Sequence, residues 1–212
     1  MKHKRVFKLP IVKQKYNFSC GASVWLTICK YLNIGPKTEH EIMFQLKTKE
    51  FKGTHPDQMI KFGNKLGLCI RKHHRMQLKR LKEEIKNGNI VIVCMQNEPG
   101  YGHYIIANGF DRYSVYFHDT YHAEPVTRLT NKEFLRKWYD FDHQGKFYCR
   151  FAIILCFSDW LSYNQSFFNA IFFVFNTFLK TFKIIFLIAY FGSWFYWIKS
   201  IIISITIKGR YN

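Results

Sequence analysis

Residues 14–22 read Gln14-Lys15-Tyr16-Asn17-Phe18-Ser19-Cys20-Gly21-Ala22 and put a cysteine where a helical pattern begins. From there SCGASVWLTICKYLN, residues 19–33, carries apolar residues at helical spacing and stops at Asn33-Ile34-Gly35-Pro36. Cys20 therefore falls at the start of a predicted helix. The start of a helix has partial positive charge and free N–H groups, and both favour a thiolate. Gly21 and Ala22 are small, which suggests room for a substrate to approach closely. Cys29 lies nine residues further on. At about 100° per residue that is the opposite helix face, so of the two thiols only Cys20 has the reactive position.

A thiolate nucleophile needs a base, and the base needs an acceptor to orient it. His103 follows Pro99-Gly100-Tyr101-Gly102, read as a flexible approach, and opens an apolar run at Tyr104–Asn108. Asp119 ends the next run, Ser114–His118, beyond a hairpin turn at Asp111-Arg112. Antiparallel pairing of these strands brings Asp119 towards the His103 ring. Side-chain alternation puts His118 on the other face from Asp119, so at most one of them points at His103. Each residue alone has a bland explanation. A lone cysteine is more often structural, a histidine before a strand is usually a surface residue, and an aspartate after one is usually a turn former.

The remaining elements predict an α+β domain. Helices are expected at 38–49, from the Gly53-Thr54-His55-Pro56 stretch to Gly67, and at 76–87. Thr54 is the expected cap of the second of these, with Pro56 in its first turn. Residues 68–73 read as extended. Strands are expected at 90–95, 104–108, 114–118 and 147–157. A short helix at 130–139 has Thr130 and Glu133 at capping-box spacing. Helices first and an antiparallel sheet afterwards is the α+β order.

Charge and cysteine usage narrow the function classes. The net charge is +18, from 32 Lys and Arg against 14 Asp and Glu. The lysines are scattered, with no arginine-rich block or finger motif, so no specific nucleic-acid partner is expected. None of the six cysteines forms a CxxC pair, which argues against structural zinc. Cys29, Cys69, Cys94, Cys149 and Cys156 read as buried free thiols. The spacings of His73, His74, His103, His118 and His122 fit no compact metal motif, and no cofactor is expected. The basic start MKHKRVFKLP is not followed by an apolar run, which points to a reducing, cytosolic setting for this domain.

The stretch Gln14 to Ala22 resembles the Q-x4-[DS]-C-G-A signature of the bacteriocin-processing cysteine peptidases, which cut double-glycine leaders. Gly53-Thr54 ahead of Lys65-Leu66-Gly67-Leu68, Gly102-His103-Tyr104-Ile105-Ile106, and Val115-Tyr116-Phe117-His118-Asp119 followed by Phe134-Leu135-Arg136-Lys137-Trp138 resemble that family's later segments in order. The similarity covers about residues 8–158. It implies a papain-like fold with Cys20 as nucleophile, His103 as general base and then acid, and Asp119 orienting the imidazole. Gln14 would donate its amide to the oxyanion together with the Cys20 N–H. Ser19 and Thr120 depart from the family, which often has Asp and Pro there. No G-x-x-x-x-G-K-[ST] motif is present, so a stand-alone enzyme is expected. The same nucleophile and base would also serve amide transfer or deamidation, and a non-catalytic peptide-binding relative is a further alternative.

Composition changes near residues 158–165, which divides the chain into a peptidase domain at 1–158 and a hydrophobic tail at 159–212. No acidic residue follows Asp159. The runs FFNAIFFVFNTF (167–178) and IIFLIAYFGSWFYWI (184–198) approach the ~20 apolar residues that a membrane helix needs. A membrane hairpin or single span, an interfacial helix, and a buried helical pair are the three readings. The first is preferred, with Trp194, Tyr196 and Trp197 at the interface. The expectation is thus a membrane-associated enzyme that contacts lipid through residues 161–207, keeps its catalytic domain cytoplasmic, and acts on a peptide substrate.

Overall fold

The computed structural model describes residues 4–5, 7–98, 101–122 and 126–156. They lie within one compact unit, Met1–Leu161. The hydrophobic helices expected in the tail, and the membrane contact assigned to them, fall outside the described residues. Among the described residues, no helix is long and apolar enough to cross a membrane.

In chain order the elements are β1 (Lys4–Arg5), α1 (Cys20–Leu32), α2 (Glu39–Leu46), α3 (Pro56–Lys65), β2 (Ile70–His73), α4 (Leu78–Lys86), β3 (Ile90–Glu98), β4 (Tyr101–Phe110), β5 (Ser114–His118), β6 (Val126–Thr130), α5 (Asn131–Lys137), β7 (Tyr139–Phe141), β8 (Phe147–Cys149) and β9 (Ala152–Leu155). The main sheet runs β2-β9-β3-β4-β5-β6, with β1 against β4, and β7 and β8 form a separate ribbon. Every pairing is antiparallel. This is the expected α+β class.

The run Ile90-Val91-Ile92-Val93-Cys94-Met95 is apolar throughout because the sheet is covered on both faces. Ile90, Ile92 and Cys94, with Tyr104 and Ile106 of β4, face the α1 side. Val91, Val93 and Met95, with Ile105 and Ala107, face Leu81 and Ile85 of α4 and Phe134 and Trp138 of α5. Each such Val, Ile or Leu contributes roughly 1.5–3 kcal/mol by leaving water. Helix α1 is sunk in the first of these cores, with ten consecutive residues, Cys20 to Cys29, buried. Burial pushes the Cys29 thiol up to about 11. The helix stops where Asn33 turns left-handed at φ 53° and its N–H bonds the Cys29 and Lys30 carbonyls.

Several local expectations are corrected. His55, not Thr54, caps α3, its Nδ1 accepting from the Asp57 N–H at 3.2 Å. Thr54 is instead 2.7 Å from the Thr48 hydroxyl. The expected strand 147–157 is two strands, because Arg150 turns left-handed at φ 45° between them. Phe147–Cys149 can therefore pair with β7 while Ala152–Leu155 enters the main sheet. The helix expected at 130–139 is α5, shorter at both ends, and its Thr130–Glu133 capping box is present. Cys69 is exposed and Cys149 half-buried, so those two are not core thiols. The small size of Gly21 serves packing: a Cβ there would lie 2.9 Å from Thr54 Cβ and 3.0 Å from Met59 Sδ. Ala22 is buried in the core as well. Neither gives room to a substrate.

Candidate active site

Cys20 is the first residue of α1, so its N–H is among the four that a helix leaves without an acceptor of its own. The thiol is hydrogen-bonded to His103, which lies near the start of β4. Strands β4 and β5 pair with Ile106 opposite His118, so Asp119 emerges from the strand end beside β4. His103 Nε2 stands 2.7 Å from Asp119 Oδ1. The choice between neighbours falls as alternation requires: Asp119, not His118, meets this nitrogen. Cys20, His103 and Asp119 are all buried, at 7%, 6% and 3% exposure. Water therefore screens their interactions weakly.

The charges oppose one another through His103. Burial, the largest effect, pulls the imidazole down. The hydrogen bonds His103 makes with Asp119 and Cys20, and the electrostatic pull of both groups, outweigh it, and the group rises from 6.5 to about 10. Asp119 mirrors this: burial pushes its carboxyl up, but the His103 bond, the His103 charge and the Tyr121 N–H leave it below the ordinary carboxylate range. Near neutral pH His103 is thus an imidazolium bonded to the Asp119 carboxylate, with the Cys20 thiol group on its other side. A proton-bearing imidazole can give a proton before it takes one.

Asp119 has further supports that the sequence reading missed. Its Oδ1 accepts the Tyr121 N–H at 2.9 Å, and its Oδ2 is 3.7 Å from His122 Nε2. The Tyr121 ring stands edge-on to His103 at 6.0 Å. Their signal was faint, since Tyr121 and His122 sit in a polar loop with no periodicity.

Gln14 lies in the arm before α1. Its N–H bonds the Thr120 carbonyl at 2.9 Å, which fastens the arm to the residue after Asp119. Its Nε2 donates to the Tyr16 carbonyl at 3.0 Å. Buried Glu39 holds the arm from below, accepting from the Lys15 N–H at 3.2 Å and from the Ser23 hydroxyl at 2.9 Å. Glu39 was unreadable in advance, because a glutamate in the first turn of α2 looks like an ordinary dipole partner.

A second thiol–carboxylate pair lies on β3. Cys94 Sγ donates to Asp140 Oδ2 at 3.1 Å, and Gln96 Nε2 to Asp140 Oδ1 at 2.9 Å. The Asp140 carboxylate packs so closely against the bare Cα of Gly102 that a side chain there would have to displace it. Gly102 is thus part of a strand pressed by Asp140, which corrects its reading as a flexible approach to His103.

Three layers of helix and antiparallel sheet, with a helix-start thiol facing an imidazole, place the chain in the α+β class of the cysteine-peptidase domains. The sequence itself goes further: the model of the Peptidase C39 family matches residues 8–141, more than half of the chain, and the chain belongs to that family. It is a cysteine peptidase, a hydrolase. The fold agrees with solved structures. A putative C39-like peptidase from Bacillus anthracis aligns with TM-score 0.58 and 11% identity, over 73% of this chain and 98% of that one. The peptidase domain of Streptococcus ComA, a bi-functional ABC transporter involved in quorum sensing, gives 0.55 and 20%, over 68% and 96%. A double-glycine-motif protease from an AMS/PCAT transporter, in complex with the leader peptide, gives 0.54 and 16%, over 70% and 91%. At these identities the likeness speaks for the fold alone. No curated protein matches this sequence.

Proposed function

We propose that this chain hydrolyses the peptide bond that follows a double-glycine leader, with Cys20 as nucleophile, on a papain-like scaffold. The observation that carries the reading is the unbroken line of buried groups from the Cys20 thiol through His103 to Asp119. The thiolate attacks the carbonyl carbon. The oxyanion that forms is met by the Cys20 N–H and the Gln14 amide, donors of the kind that stabilise charge as it develops. His103 already carries its proton, so its first act is to protonate the leaving amine. It then takes a proton from the water that attacks the thioester. Asp119 fixes the ring so that Nε2 stays bonded to the carboxylate and the other nitrogen faces sulfur. Double-glycine specificity is taken from the family and from the leader complex of the AMS/PCAT protease. The hydrophobic tail would fix the enzyme to a membrane, with the active site on the cytoplasmic side.

The test is turnover of a fluorogenic peptide with Gly-Gly before the scissile bond. Cys20→Ala in the full chain is expected to lower kcat by about 10⁴ or more, as loss of a nucleophile does. Cleavage that persists in Cys20→Ala sinks the assignment.

A further inference from the structure

Of the two positions at which the sequence departs from the family's usual pattern, Thr120 bonds the Gln14 amide directly and Ser19 shares with it the Tyr16 carbonyl. The Gln14 side chain is held at both ends. Its Nε2 donates to the Tyr16 carbonyl at 3.0 Å, and that carbonyl also accepts the Ser19 hydroxyl at 2.8 Å and the Ser19 N–H at 3.0 Å. Its Oε1 accepts the Thr120 hydroxyl at 3.4 Å. Thr120 has no exposed surface, and its carbonyl takes the Gln14 N–H. A carbonyl on one side and a hydroxyl donor on the other leave one satisfied orientation of the amide. In that orientation one Nε2 proton is committed to Tyr16 and the second is spare.

We infer that Thr120 is a positioning residue for the oxyanion donor: its hydroxyl holds the Gln14 carboxamide so that the spare N–H is presented to the developing oxyanion. The inference rests on the reading of Gln14 as that donor. The physical case has two parts. A hydrogen bond into Oε1 draws electron density from the amide and makes its N–H a stronger donor, as bonds in a chain polarise one another. It also removes the flipped rotamer, in which Oε1 would face the oxyanion and repel it. At 3.4 Å the bond is long for O–H···O. Catalytic hydrogen bonds often tighten only once the reacting group is bound, and this one would shorten as charge builds at the amide. A proline at position 120 would have no hydroxyl to donate, so the clamp is a device of this chain.

The experiment uses the full chain and the Gly-Gly fluorogenic peptide, with Thr120→Val, Thr120→Ser, Gln14→Ala and the Thr120→Val/Gln14→Ala pair. Gln14→Ala is expected to lower kcat on the order of 10²–10³. Thr120→Val keeps the shape and loses the hydroxyl, and is expected to lower kcat about 5- to 10-fold, the worth of one neutral hydrogen bond, with KM held. Thr120→Ser restores kcat. In the Gln14→Ala background Thr120→Val has no further effect. Alkylation of Cys20 by iodoacetamide, read on the Cys20 peptide by mass spectrometry, needs a thiolate but no oxyanion hole, and stays at the wild-type rate in Thr120→Val. Should Thr120→Val cost as much without Gln14 as with it, or slow the alkylation, the residue acts through Asp119 or the fold and the inference is overturned. Should Gln14→Ala leave kcat unchanged, the oxyanion reading itself fails and takes the clamp with it. Absence of Cys20-dependent turnover removes the proposed peptidase specificity and the clamp together.

Discussion

The two thiol–carboxylate pairs of this domain use the same atoms and reach opposite ends. At the start of α1, an imidazole stands between Cys20 and Asp119. On β3, Cys94 meets Asp140 with nothing between them. An imidazolium is attracted to the carboxylate beside it, and this attraction, with the contact to Cys20, outweighs the cost of burial. A thiolate directly against a carboxylate is repelled, and burial strengthens that too. Burial holds the Cys94 thiol far above its ordinary range, and the charge and hydrogen bond of Asp140 push in the same direction. Burial likewise raises the Asp140 carboxyl. The order of groups, not their inventory, separates the proposed nucleophile from a thiol that its surroundings keep protonated. Cys94 then serves as a structural donor that anchors Asp140 against Gly102.

The strongest way to break the contrast is to remove the imidazole. His103→Ala is expected to lower kcat on the order of 10²–10⁴, the usual worth of a positioned acid–base group. Iodoacetamide labelling of the Cys20 peptide at neutral pH should slow alongside it, while Cys94 stays unlabelled in both proteins until they are denatured. Rapid labelling of Cys94 in the native chain would erase the difference between the two thiols.

A smaller effect is expected on the inert side. Gly102→Ala sets a Cβ against the Asp140 carboxylate, and overpacking of that kind costs about 1–3 kcal/mol. Urea denaturation measures it. A variant as stable as the parent would mean that Asp140 moves aside freely and does not fix the strand before His103.

The gentlest probe is pH. His103 binds its proton more tightly folded, at about 10, than at its ordinary 6.5. Between those values the folded chain holds the extra proton, so its stability falls as pH rises through the window. The contribution is complete below 6.5. Asp119 acts in the other direction: with its carboxyl held down in the fold, its share is present above the ordinary 3.8 and is lost as pH falls below it. Thermal unfolding midpoints from pH 6 to 10 should therefore decline, and decline less in His103→Gln. An equal slope in the two proteins would place the titration elsewhere.

Much of the frame was legible in residue order. The apolar helix after Cys20, the strand at His103, the aspartate after the next strand and the Thr130–Glu133 box each depend on contacts between near neighbours or on a period of two, and the structure has them where the pattern put them. Strands β6 and β7 were missed because VTRLT and YDF are short and half-exposed, with no apolar face to betray them. The break at Arg150 was missed because no glycine marks its left-handed turn.

Sequence alone determined which thiol begins a helix, which histidine opens a strand, and that no more than one of His118 and Asp119 can face that histidine. Those follow from periodicity, which is local. Tertiary structure decided the rest. It buried His103 between Cys20 and Asp119 and so raised its affinity for a proton, pressed Asp140 onto Gly102, and brought Thr120 to the Gln14 amide across 106 residues of chain. Such effects depend on distance and desolvation between remote segments, and no spacing along the chain encodes either.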